Sequence, residues 1–193
     1  IISLTHCMAL QKDKGFLINE LRLMGIRDEK VIQAIYKTKR ELFVPVEYKK
    51  DAYKNFPLPI GHSQTISQPY TVAFMLELLE LKPGNRVLEI GAGSGYNAAV
   101  MSYLVGKKGH IYSVELIKEL TDFGQTNLKK AGIKNVTIIH RNGYFGYKKE
   151  APYDRIIMTA ASPEISQEVL IQLKKNGIIV APVTKIYGEQ MIK

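Results

Sequence analysis

Residues 87 to 95 read Val-Leu-Glu-Ile-Gly-Ala-Gly-Ser-Gly, an apolar strand with an acid, Glu89, just ahead of three alternate glycines and a helix start. Few folds accept that order. Glycines at 91, 93 and 95 allow positive φ and close approach of a ligand, and the N–H groups of a helix opening after Gly95 point toward it. A dinucleotide fingerprint, G-x-G-x-x-G, would need its third glycine where Tyr96 stands. The spacing is therefore not that of a dinucleotide site, and a plain strand-to-helix turn stays open as the alternative.

From residue 86 the chain alternates short apolar segments with helical ones, the pattern of a mostly parallel sheet wrapped by helices. Strands are expected at 86–90, 111–115, 136–140, 155–159 and 178–183, with helices at 96–105, 117–131 and 165–173. Gly132 and Gly177 read as helix stops. Right-handed crossovers carry the strand ends and the glycine turn to one edge, where ligands bind. Glu115 closes the second strand about twenty residues after the glycines, where a doubly wound sheet sets a carboxylate for a ribose diol. A surface acid at a strand end is the alternative.

The first 80 residues differ. Leu17, Leu21 and Met24 recur at helical spacing before Gly25, and Asp28 is placed to cap a helix bearing Val31, Ile32, Ile35 and Tyr36. Both stripes read as packing surface. Residues 55–69 form a long irregular stretch, of the kind that is a functional loop or a linker, and Phe56, Leu58 and Ile60 argue that it is ordered. Ser67 reads as the N-cap of a helix with Pro69 in its first turn and Val72, Met75, Leu76 and Leu79 on one face. The chain stops at Lys193 just as Glu189 onward starts to read as a strand, so a closing hairpin is expected to be cut short. Residues 1–7, ahead of Met8, are expected to precede the natural start.

Composition narrows the function classes. A chain of 193 residues suits one structural unit with a substantial core. No apolar run approaches the roughly 18 residues of a membrane span. The net charge of +9 raises nucleic-acid binding, yet the lysines are scattered, with pairs such as 49–50, 129–130 and 148–149 in place of a long basic run. The single Cys7 excludes an internal disulfide and fits a reducing compartment. His6, His62, His110 and His140 show no metal-ligand spacing, so no metal is expected.

The G-x-G-x-G turn led by Glu89 resembles the first motif of S-adenosylmethionine-dependent methyltransferases. Together with Gln64-Thr-Ile-Ser-Gln-Pro69, the sequence resembles more narrowly the protein-L-isoaspartate O-methyltransferases, which repair aged aspartyl and asparaginyl sites. The likeness continues in order through 40–45, 52–53, 58–61, 87–96, 154–161, 172–173 and 177–182. It implies an α/β, Rossmann-like methyltransferase with a mostly parallel doubly wound sheet and an N-terminal helical extension. Residues 1–80 would supply the helices and active-site loop, and residues 81–193 the cofactor-binding core, in one unit. The implied cofactor is S-adenosyl-L-methionine, and the implied partners are isoaspartyl-containing proteins and peptides. A cytoplasmic monomer is expected, with no specific nucleic acid and no membrane.

Site residues follow from the same resemblance. Ser67 would be catalytic, beside the transferred methyl, with Ile66 and Ser67 meeting the substrate. Thr65 and Ile66 would close over the cofactor. Glu89, Gly91, Ala92, Gly93 and Gly95 would hold its methionine portion, the acid of Glu89 meeting the ammonium. Glu115 and Leu116 would hold the ribose side, and Asn142 and Gly143 the adenine. The family usually has Gly-Asp-Gly where this chain reads Arg141-Asn142-Gly143, and an asparagine carbonyl also accepts a hydrogen bond, without charge. The segment 162–166 lacks the proline common after the isoleucine.

An isoaspartyl carboxylate is ionised at pH 7 and can attack a sulfonium methyl directly, so no catalytic base is required. Alignment and exclusion of water would then supply on the order of 7 kcal/mol or more. Ser67 would orient the carboxylate; the competing reading is a helix cap worth about 1 kcal/mol. The rival functions are a related methyltransferase acting on RNA or a small molecule, and a non-catalytic cofactor-binding module.

Overall fold

In the computed structural model, residues 4–160, 162–185 and 188–193 are described, with side chains from residue 11 onward except those at 185, 188 and 189. Residues 1–3 of the segment expected to precede the start, and Ala161 at the end of the 154–161 motif, lie outside the described residues.

Helix α1, Leu4–Leu23, turns Leu17, Ile18 and Leu21 inward, whereas Met24 falls past its end and is largely exposed. Asp28 caps α2, Glu29–Lys37, by accepting from the Lys30 N–H at 2.8 Å. Val31, Ile32 and Ile35 face the core and Tyr36 the surface. Each apolar side chain so buried contributes about 1.5–3 kcal/mol. Residues 55–69 are irregular only at 55–57 and 67–68. They hold a hairpin of β1, Leu58–Gly61, and β2, Gln64–Ile66, joined through His62 and Ser63, whose φ of 52° and 56° suits the twist of a two-residue turn. Leu58 and Ile60 point into the core at strand spacing, and Phe56 lies outside it, exposed.

Helix α3, Pro69–Leu79, buries Val72, Met75, Leu76 and Leu79 as the spacing predicts. Its N-cap, however, is Gln68 and not Ser67. Val72 N–H bonds to the Gln68 carbonyl, one residue too late for a Ser67 cap, because Arg40 holds the Ser67 carbonyl outside the helix at 2.9 Å.

The sheet comprises β3 (Arg86–Ile90), β4 (His110–Glu115), β5 (Val136–His140), β6 (Tyr153–Met158), β7 (Leu173–Lys185) and β8 (Gly188–Ile192), in the order β5-β4-β3-β6-β7-β8. All neighbours are parallel except β7 and β8, which form an antiparallel hairpin from Ala181–Ile192 to Lys185–Gly188. Helices α4 (Tyr96–Val105) and α5 (Lys118–Lys130) make the crossovers on either side of β4. Strand order reverses at β3, which pairs with both β4 and β6, and ligands of such sheets lie at the strand ends there.

Two further expected features change. The helix expected over 165–173 shrinks to α6, Gln167–Leu170, because Gln172 is tied by its side chain to the Phe145 and Glu168 carbonyls while its own carbonyl accepts from Tyr153 N–H, which feeds Leu173 into the sheet. Gly177 is accordingly no helix stop but part of an irregularity in β7, where Asn176 takes a φ of 64° and the register against β6 shifts. One buried cluster runs from Leu17 through Ile32, Leu76, Val87 and Ala98 to Val180, so the N-terminal helices and the sheet share a core. Among the described residues no helix is long and apolar enough to cross a membrane.

Candidate active site

At the end of β3 the Gly91 and Ala92 N–H groups donate to the Val114 carbonyl of β4, at 2.9 and 3.2 Å, and the chain then winds into α4. Gly91, Gly93 and Gly95 all have positive φ, at 98°, 50° and 82°. Their surroundings differ. A Cβ on Gly91 would come within 2.5 Å of Thr159 Oγ1, which donates to the Gly91 carbonyl. One on Gly93 would meet Ile60 Cδ1 at 3.3 Å, and one on Gly95 the Gly124 carbonyl of α5 at 3.2 Å. Gly91 and Gly93 therefore shape a ligand face, whereas Gly95 lets α5 pack against the turn and does not line the cavity.

The hairpin faces this turn. Ile60, Thr65, Ile66 and Ser67 on one side, with Gly91, Ala92, Gly93 and Asn97 on the other, enclose a cavity of about 80 Å³. It adjoins a larger one of about 360 Å³, walled by Leu116, Ile117, Asn142, Gly143 and Tyr144, and Gln64, Gly91, Glu115 and Ala160 line both. The 64–69 segment and the glycine turn thus share one elongated hollow at the switch point.

Glu115 stands at its middle. One oxygen accepts from Gly93 N–H at 2.8 Å and the other from Ile117 N–H at 3.0 Å, so the carboxylate fixes the turn while keeping lone pairs for a ligand's hydroxyls. Glu89 lies elsewhere than expected. It is fully buried behind the turn, its oxygens taken by Asn97 Nδ2 at 2.7 Å and Ser113 Oγ at 2.5 Å, and it lines neither cavity. Burial raises its pKa to about 7; the Ser113 and Asn97 bonds oppose the rise and the nearby Glu115 charge adds to it.

Ser67 is half-buried on the cavity wall, and its hydroxyl makes no hydrogen bond among the described residues. Its backbone is held by Arg40, a completely buried guanidinium stacked over the Tyr96 ring at 4.8 Å. Tyr96 in turn meets Phe43 edge-on, so the 40–43 segment locks α4 and the backbone at Ser67 together. At the far end Asn142 Oδ1 accepts from Tyr144 N–H at 2.9 Å, capping a short turn. An asparagine preserves that cap as an aspartate would. Gly143 has no room for a side chain, since its Cβ would lie 2.4 Å from Ile90 Cγ2. Leu116 is exposed on the cavity rim, its carbonyl 2.9 Å from His140 Nε2.

Of the residues read from the sequence, Thr65, Ile66, Ser67, Gly91, Ala92, Gly93, Glu115, Leu116, Asn142 and Gly143 line the hollow. Asn97, Ser113, Thr159 and Arg40 escape that reading. Arg40 opens the 40–45 motif and carried a sequence signal; Ser113 and Thr159 act only through partners distant in sequence.

Comparison with known proteins agrees with this geometry. The family model described as protein-L-isoaspartate(D-aspartate) O-methyltransferase matches residues 12–193. A protein-L-isoaspartate O-methyltransferase of Methanosarcina mazei is 55% identical over 166 residues, covering 86% of this chain and 68% of that protein. A solved protein-L-isoaspartate O-methyltransferase superposes with a TM-score of 0.83 at 33% identity over 92% of this chain, which spans 58% of that one. A Plasmodium falciparum structure, assigned as a beta-aspartate methyltransferase and in complex with S-adenosyl-L-homocysteine, gives a TM-score of 0.81 at 28% identity, over 91% and 86% of the two chains.

Proposed function

The chain belongs to the protein-L-isoaspartate(D-aspartate) O-methyltransferase family, and on that premise we propose that the hollow at the switch point holds S-adenosyl-L-methionine and an isoaspartyl carboxylate for methyl transfer. The carrying observation is that the 64–69 segment and the glycine turn wall a single cavity. Its acceptors and its shape fit the cofactor: a carboxylate at Glu115 for hydroxyls, a carbonyl at Asn142 and close backbone at Gly91 and Gly93. When bound, the cofactor supplies a methyl on a positively charged sulfur.

The protein's residues align and dry the reaction. Ser67, free of any capping duty, donates a hydrogen bond that orients the substrate carboxylate. Ile60 and Ile66 exclude water from the small cavity, which lowers the local dielectric around opposite charges that cancel on transfer. Thr65 and Ile66 would close over the cofactor, Leu116 would cover its ribose side, and Asn142 with Gly143 would take the adenine, all of them residues that wall the hollow. No base is needed, because the acceptor is already anionic at neutral pH. In this reading residues 1–80 furnish the substrate wall and residues 81–193 the cofactor core of one unit. The enzyme works as a cytoplasmic monomer on damaged proteins and peptides, without nucleic acid.

Labelled cofactor offered with paired peptides containing isoaspartate or ordinary aspartate tests the reading. Base-labile methyl ester on the isoaspartyl peptide alone is expected. Labelled RNA, or binding without transfer, would overturn it.

A further inference from the structure

Asn97 lies in the first turn of α4 and forms part of the small cavity's wall, yet it is only 9% exposed. Its Nδ2 donates to Glu89 at 2.7 Å, and Glu89 is held from the other side by the Ser113 hydroxyl at 2.5 Å. Above its pKa of about 7 the Glu89 carboxylate only accepts, so this pairing then dictates how the amide faces: the NH2 toward Glu89 and the carbonyl away from it. That carbonyl, Oδ1, is buried and meets no donor among the described residues. Native proteins rarely leave a buried acceptor unmade, so this one calls for a donor from outside the described residues, and the cavity that Asn97 lines is where a ligand would bring it.

The cofactor's amino acid end carries both a carboxylate and an ammonium. A lone acceptor repels the first and suits the second. We propose that Asn97 Oδ1 receives the cofactor's α-ammonium, and that Glu89 is a positioning residue which acts through Asn97. Glu89 thus reaches the ligand at second hand, which reconciles an acid in the glycine motif with its complete burial. The inference rests on the methyl-donor reading of the cavity and adds to it the source of discrimination for the amino acid end.

Replacing Glu89 by leucine supplies a particular check. Leucine offers neither Ser113 nor Asn97 an acceptor, whereas a glutamine could keep the Asn97 bond because the Ser113 hydroxyl accepts as well as donates. The Asn97 amide is then no longer held with its NH2 toward position 89, and its fixed presentation of Oδ1 is lost.

Calorimetry at pH 8.5 with S-adenosylhomocysteine and 5′-methylthioadenosine separates the possibilities, because the second lacks the amino acid end and Glu89 is ionised there. Asn97→Leu and Glu89→Leu should each weaken S-adenosylhomocysteine about tenfold or more, the scale of a hydrogen bond to a charged group, and leave methylthioadenosine within about twofold. Unchanged methylthioadenosine binding also reports an intact fold. If each variant weakens both ligands alike, or leaves both unchanged, the proposal is overturned. Wild-type protein that binds neither ligand would overturn the cofactor reading itself, a result recognisable before any variant is made.

Discussion

The complete burial of Glu89 makes stability depend on pH in a way that one substitution isolates. In the unfolded chain this carboxyl ionises near its model value of 4.5; in the fold, burial lifts it to about 7. Between those values the native state keeps a proton that the unfolded state releases. The contribution is therefore fully present below about pH 4.5 and lost as pH rises through 7. At about 1.4 kcal/mol per pH unit, the interval from 4.5 to about 7 amounts to about 3 kcal/mol. Glu89→Gln cannot ionise and escapes this loss. Urea unfolding of both proteins at pH 5.0 and 8.5 measures it, since every other titrating group cancels in the difference. The variant should gain on the wild type by about 2–3 kcal/mol between the two conditions. A difference that stays constant with pH would refute the reasoning, showing that Glu89 ionises as an exposed acid does.

Three further outcomes follow from the site. Ser67→Ala should cut methyl transfer about tenfold or more while moving the melting temperature by no more than about 1 °C, because Gln68 holds the N-cap position; a clear thermal loss with full activity would restore the capping role. Asn142→Asp keeps the cap on Tyr144 N–H and makes the acceptor anionic, so S-adenosylhomocysteine should bind about threefold tighter by calorimetry, and weaker binding would contradict an adenine contact there. Gly95→Ala places a Cβ 3.2 Å from the Gly124 carbonyl at a φ of 82°, and should cost about 2 kcal/mol, roughly 4–8 °C in melting temperature, with little change in the peptide KM of the folded enzyme.

Where local chemistry decides the structure, the sequence is easily read. Apolar strands 86–90 and 136–140 and helix 96–105 begin and end where their spacing says, and Asp28 caps its helix because the capping bond spans only two residues. The hairpin over 58–66 is hidden because its turn uses His62 and Ser63, two non-glycine residues in left-handed conformations, where turn rules look for glycine or asparagine. Ser67 misleads for a different reason. A serine two residues before a proline looks like a cap, and only the side chain of Arg40, 27 residues earlier, pulls its carbonyl out of that role.

The glycine motif shows the same limit within the site itself. Its three glycines look equivalent in sequence, yet Thr159, Ile60 and Gly124 give them three different neighbours, so that two form a ligand wall and the third admits a helix. Its acid looks like a ligand contact because a carboxylate beside glycines normally is one. Ser113, 24 residues away on the adjacent strand, pairs Glu89 across the sheet and draws it inward, and Asn97 becomes the group left in the cavity wall. A motif specifies which backbone bends and which charge is nearby. Which atom finally faces the ligand is settled by partners that the fold brings in, and here the Asn97 carbonyl, unpaired among the described residues, is the atom on which that distinction can be measured.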